Sequence, residues 1–266
     1  MTRSHEHEIE IEATADQVWQ ALTDADQLTG WYVERAEVEP RAGGKYLISW
    51  GEGMDGWGKI DVWEPPHRLR LVHLPAGGGD PGPNDPPLEE PIIEEYTIEA
   101  AGGTTVLRMV NSGIPDSADW DAFYDGTDVG WDGFFLALRH YLTYHAGQPR
   151  NAFWIMAPFM DRAEVGWERL TAALAELGTL SGLAAGDRYD ITTSLGDHLY
   201  GEVVAMDPPS KLLLSVDPLD HGLLEASIVP SPEHGYASVA VSLWGARDIA
   251  PLQTRWEPWI KDVVAG

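Results

Sequence analysis

The chain lacks cysteine, is poor in basic residues and has no long apolar run, and each absence removes a class of answers. Zero cysteines exclude a disulfide framework and any thiolate metal site. No stretch approaches the roughly 18 to 20 apolar residues that a membrane-spanning helix requires. Residues Met1 to Glu12 carry His5, Glu6, His7 and Glu8 without an apolar core, so no secretory signal is read there and a cytoplasmic location is expected. Only 17 lysines and arginines stand against 43 aspartates and glutamates, a formal charge of −26. Binding to phosphate backbones or anionic lipid surfaces relies on Lys and Arg, so neither nucleic acid nor membrane is expected as a partner. The acidity itself reads as a solvated, self-repelling surface and selects no function.

What the chain does contain is one pattern twice. A shift of 143 positions lays Ala42, Gly43, Tyr46, Ile48, Gly53, Gly58, Pro65, Pro66, Leu69 and Leu71 on Ala185, Gly186, Tyr189, Ile191, Gly196, Gly201, Pro208, Pro209, Leu212 and Leu214. These are ten identities in thirty ungapped residues, where unrelated sequence gives roughly two, and a repeat of this length indicates two copies of one domain. At 266 residues the chain is long enough for that, with each half able to bury its own core.

In the first copy Ile9-Glu10-Ile11 alternates as a short strand, and Thr14 to Gln17 is a capping-box pattern that opens a helix through Val18, Trp19, Ala21 and Leu22. A short helix over Asp26 to Trp31 follows. The period then changes to two, giving strands over Arg35 to Val38, Lys45 to Trp50, Trp57 to Trp63, Leu69 to His73, Ile93 to Ile98 and Thr105 to Asn111. Glycine and proline pairs separate them, which implies tight turns and antiparallel pairing. From Val129 to His145 the residues Trp131, Phe134, Phe135, Leu138 and Leu142 line one face of a helix that needs a sheet to cover. This order is an α+β arrangement in which a curved antiparallel sheet wraps a long terminal helix.

The second copy keeps the strand pattern in GDRYDITTSL, GEVVAMDPPSKLLLSV and GYASVAVSLWG, with a first helix expected over Arg162 to Leu177 and a terminal one over Trp256 to Val264. Its connection after the first helix is shorter, so the second small helix and its strand are not expected there. The polar joint Gln148-Pro149-Arg150-Asn151 divides the copies into residues 8–146 and 152–264, with Phe153 to Phe159 as the opening strand of the second. Because the joint is short, the two domains are expected to pack together. Pro75 to Pro91 reads as a loose surface loop.

The motifs ATADQVWQALTDADQLTGWY, GGKY, GWGKIDVWEPPHRLRLVH, GGTTVLRMVNSGI and GWDGFFLALRHYL, taken in order, resemble the START-like (SRPBCC) superfamily. Within it they are most similar to the domain at the C-terminus of the activators of the heat-shock protein 90 ATPase. The resemblance implies two tandem helix-grip domains, the first enclosing an apolar cavity for a small hydrophobic molecule, with two short helices at its mouth. By strand alternation that pocket would take Tyr46, Ile48 and Trp50, then Leu71 and His73, then Tyr96, then Leu107, Met109 and Asn111. Trp31, Trp57, Phe134, Phe135 and Leu138 join them from helices and loops.

His73 and Asn111 are the polar members, the first able to move a proton near neutral pH and the second able to fix a ligand carbonyl. No catalytic residue is assigned, because no second polar group is placed by sequence to orient His73. His140 and His145 are five apart and fall on different helix faces, and His5 and His7 are expected in a frayed terminus, so no metal site is read. Nor is there a P-loop, a G-x-S-x-G elbow or a dinucleotide fingerprint, so no cofactor is expected. The leading expectation is binding or carriage of a small hydrophobic ligand by the first domain. A cyclase or aromatase acting on a polyketide is the alternative. A chaperone-associated regulator with a chaperone partner is a third class, weakened because the activators carry a separate N-terminal domain.

Overall fold

The computed structural model describes residues 2–51, 55–73, 91–159, 161–229 and 235–265; of the segment Pro75 to Pro91, only Pro91 is among them. The chain separates into two compact units, residues 1–149 and 150–266.

In the first unit β1 (Thr2–Ile11) leads to α1 (Ala15–Thr23) and α2 (Ala25–Trp31). Then come β2 (Arg35–Val38), β3 (Lys45–Ser49), β4 (Asp55–Glu64), β5 (Arg68–His73), β6 (Ile92–Ala101) and β7 (Thr104–Pro115), and α3 (Asp121–Tyr144) closes the unit. The seven strands form one sheet in the order β1-β7-β6-β5-β4-β3-β2, every pair antiparallel.

Local chemistry sets the helix ends. Thr14 caps α1 by accepting from the Gln17 amide, while the Gln17 side chain accepts from the Thr14 amide, so two otherwise orphaned donors are satisfied. Asp24 ends α1 and caps α2 through the Gln27 amide at 3.0 Å. Gly30 lets α2 approach α3, since a methyl there would stand 2.9 Å from the Tyr141 hydroxyl and 3.0 Å from its ring. The α3 stripe of Trp131, Phe135, Leu138, Tyr141 and Leu142 is buried. It lies on the sheet, with Trp131 meeting Tyr96 of β6 at 6.1 Å and Phe135 meeting His7 of β1 at 6.3 Å between ring centroids. Each such side chain contributes about 1.5–3 kcal/mol by leaving water.

The second unit repeats the plan with β8 (Arg150–Phe159), α4 (Ala163–Leu174), β9 (Leu177–Gly178) and β10 (Arg188–Thr192), then β11 (His198–Asp207), β12 (Lys211–Val216), β13 (Gly222–Val229), β14 (Gly235–Trp244) and α5 (Ala250–Ala265). Its sheet order, β8-β14-β13-β12-β11-β10-β9, is the first unit's order restated. Both units are therefore α+β helix-grip domains. Among the described residues no helix follows α4 at the place of α2, although the short β9 does form and takes Leu177 out of the expected helix.

Two expected elements begin earlier. The alternation of β1 runs back to Thr2, so His5 and His7 are strand residues, buried to 4% and 9% exposure, and not part of a frayed end. α3 begins at Asp121, two turns before the expected start.

Candidate functional site

Antiparallel partners share a sheet face, so the register identifies which of the described residues share the helix-covered one. Tyr46 pairs with Gly58 and Ile60 with Leu71; Leu71 pairs with Glu94, Glu94 with Asn111, and Asn111 with His5. One step along the strands, Leu69 pairs with Tyr96, Tyr96 with Met109 and Met109 with His7. The covered face thus carries a polar row, His5, Asn111 and Glu94 on three neighbouring strands, with His73 beside it on β5.

The second unit supplies an internal comparison. The row Leu71, Glu94, Asn111, His5 corresponds in register to Leu214, Leu224, Val241 and Phe153, and His73 corresponds to Val216. All five of these are apolar members of the buried core. The fold therefore has no need of polar groups at these positions.

Hydrogen-bonding geometry joins the polar residues. His73 Nδ1 lies 3.2 Å from the Trp57 carbonyl, which can only accept, so Nδ1 carries the proton and donates. Its Nε2 stands 3.2 Å from Glu94 Oε1, an ion-pair contact that falls short of a full hydrogen bond. The Tyr96 hydroxyl donates to Glu94 Oε2 at 3.2 Å. Glu94 and His73 are not sealed, with side chains 15% and 22% exposed. Asn111 is buried, and its Oδ1 has no hydrogen-bond partner.

Electrostatics agree with this geometry. Burial, the largest influence on His73, disfavours its charged ring, but attraction to Glu94, polar contact with it and the Trp57 carbonyl together hold the imidazole above its usual value. Burial first and the Glu94 charge second push the Tyr32, Tyr46 and Tyr96 hydroxyls well above the ordinary phenol range. One carboxylate thus lies among three tyrosines that remain protonated donors.

An aromatic wall adjoins this polar end. Tyr32 stacks on Trp31 at 4.8 Å and meets the edges of Phe134 at 4.7 Å and Trp50 at 5.2 Å, with Trp131 6.1 Å away. Trp31 is anchored by its indole N–H to the Ala21 carbonyl, and the Tyr46 hydroxyl by the Leu22 carbonyl. Trp50 and Phe134 are only half-buried.

The expected pocket residues divide accordingly. Tyr46, Ile48, His73, Tyr96, Asn111, Leu71, Leu107 and Met109 share the covered face, and Trp31, Trp50, Phe134, Phe135 and Leu138 lie against it. Trp57 does not join them. It pairs with Leu47 on the opposite face, where the Lys45 ammonium sits 4.0 Å from its ring centroid. Glu94, Tyr32, Trp131, His5 and His7 are additions. The alternation Ile92, Glu94, Tyr96, Ile98 already places a carboxylate on the apolar face, and the His-Glu-His-Glu run of β1 does the same for two imidazoles. Both imidazoles are engaged toward α3, His7 Nδ1 with Asp132 at 3.0 Å and the His5 ring with Tyr124 at 3.8 Å. No group of three His, Cys, Asp or Glu able to hold a metal occurs among the described residues.

Residues 12–143 match the family described as Activator of Hsp90 ATPase homolog 1-like protein. The Aha1 dimer from Colwellia psychrerythraea is 21% identical, with a TM-score of 0.45 over 53% of this chain and 96% of that one. The di-domain ARO/CYC BexL of the BE-7585A biosynthetic pathway is 14% identical, with a TM-score of 0.44 over 99% of each chain. DynU16, of the dynemicin biosynthetic locus, is 16% identical, with a TM-score of 0.44 over 98% of this chain and 95% of that one. No curated protein matches the chain.

Proposed function

We propose, from the premise that residues 12–143 belong to the Activator of Hsp90 ATPase homolog 1-like family, that the first unit binds a small, largely apolar molecule between its sheet and α3. The observation that carries this reading is the contrast between units. The covered face of the first bears Glu94, His73 and Asn111 where the second has Leu224, Val216 and Val241. Buried polar groups stabilise poorly unless fully satisfied, and Asn111 Oδ1 is not. The half-buried rings of Trp50 and Phe134 supply apolar contact beside this polar end. The second unit serves as a filled, structural copy of the domain.

The Trp57 carbonyl, His73, Glu94 and Tyr96 lie in contact in that order, which favours a second reading: the same site moves a proton on its ligand, as a cyclase or aromatase does. Binding is the primary reading, since carriage alone accounts for the aromatic wall. The neutral fluorescent probe N-phenyl-1-naphthylamine tests it. Saturable binding of one probe per chain is expected, weakened at least fivefold by Trp50→Ala and unchanged by Trp154→Ala in the second unit. Equal binding by all three proteins would overturn it.

A further inference from the structure

The groups that face the site are unbalanced: acceptors outnumber free donors. Glu94 is acceptor-only when ionised, and its two oxygens hold about four lone-pair positions. Its contacts within the site are His73 and Tyr96, one to each oxygen. Asn111, its cross-strand neighbour on β7, adds a buried Oδ1 with no partner. Of the donors, the Tyr96 hydroxyl is committed to Glu94, the Tyr46 hydroxyl to the Leu22 carbonyl and His73 Nδ1 to the Trp57 carbonyl, which leaves the Tyr32 hydroxyl and the Asn111 amide N–H groups.

Among the described residues no lysine stands on this face and no arginine is free there. Lys45, Lys59, Arg68 and Arg70 point to the opposite side of the sheet, by the same register that places Tyr46, Gly58, Leu69 and Leu71 on the covered face. Arg3, at the end of β1, is held by Asp121 at 2.7 Å and lies over the Tyr124 ring. The imidazoles of this face are engaged as well, His73 with Glu94, His7 with Asp132 and the His5 ring with Tyr124.

Resting on the binding reading above, we infer that the ligand is an aromatic-sized apolar molecule whose polar end is a hydrogen-bond donor, a hydroxyl or an amine N–H, received by Glu94 and Asn111 Oδ1. A carboxylate-ended ligand such as a fatty acid is rejected, because its charge would face Glu94 with no free cation to meet it. The register equivalents Leu224 and Val241 show that both acceptors can be replaced by hydrocarbon within this fold.

Three probes of one ring system separate the cases: 2-naphthol, 2-methoxynaphthalene and 2-naphthoate, titrated into the full chain by isothermal calorimetry. 2-Naphthol is expected to bind at least tenfold tighter than 2-methoxynaphthalene, with 2-naphthoate weakest. In Glu94→Leu/Asn111→Val, checked for folding by circular dichroism, the naphthol preference is expected to shrink to within twofold while the methoxy compound still binds. Asn111→Val alone, which leaves the His73 pair intact, is expected to lose part of the preference. Equal or tighter binding of the methoxy compound or the carboxylate by wild type would overturn the donor inference and leave apolar binding standing. So would a preference that survives the double variant. Failure of all three probes to bind would overturn both readings.

Discussion

Glu94→Leu places in the first unit the residue that Leu224 supplies at the same register in the second. The change removes the acceptor of the Tyr96 hydroxyl and the counter-charge of His73, 3.2 Å away in each case. A buried hydroxyl left unpaired costs about 1–3 kcal/mol. His73 is 22% exposed and can turn to water, so its loss is smaller. The new leucine regains about 1 kcal/mol by burial. The net expectation is a loss of about 0–3 kcal/mol, which for a unit near 150 residues lowers the melting temperature by up to about 10 °C.

The sharper expectation concerns His73→Val/Glu94→Leu/Tyr96→Phe/Asn111→Val, which removes the whole network. Replacing a buried ionic network by hydrocarbon is commonly neutral or stabilising by about 1–4 kcal/mol, whereas removing one member is destabilising. The fourfold variant should therefore melt above Glu94→Leu and at or above wild type, followed by far-UV circular dichroism and checked by urea midpoints. A fourfold variant that melts below Glu94→Leu would refute the reasoning, since the polar row would then be part of what holds the fold.

Gly30→Ala drives a methyl into the Tyr141 ring, so a loss of about 1–3 kcal/mol is expected in denaturant titrations. The His73 imidazole should titrate above the usual value of about 6.5 in NMR spectra of the ring. In Glu94→Gln, with the attraction gone, burial governs and His73 should fall below that value. The linked stability is fully present below the unfolded-state value near 6.5 and is lost as pH rises through the higher folded value, a slope that His73→Asn should abolish. Asp197→Ala removes the carboxylate that receives the Arg255 guanidinium and the buried Trp256 indole N–H, so the second unit should lose about 1–3 kcal/mol while probe binding by the first is unchanged.

Much of the architecture is legible in the sequence because turns and period-two runs are local signals. The constant offset that lays Tyr46 on Tyr189 predicts the shared sheet order, and the capping box at Thr14 predicts the start of α1. The site is less legible, since which polar groups meet is a matter of register between strands distant in sequence. His73 and Asn111 stand out as polar residues on apolar faces, but Glu94, the group that links them, sits beside Glu95 in a run that reads as solvated charge. Trp57 misleads for the same reason: a tryptophan next to the pocket strands belongs to the other face by a single residue of phase. The histidines of β1 look like a frayed end until β7 pairs with them along their full length.

The central claim, that the first unit alone holds an apolar ligand beside Glu94, is tested most directly by the tryptophan indole resonances in 15N spectra during titration with 2-naphthol. The account predicts saturable shifts at Trp31, Trp50 and Trp131, next to Tyr32, and none at Trp256 and Trp259 in the second unit's core. Shifts centred on Trp256 and Trp259, or none at the three tryptophans of the first unit, would contradict it.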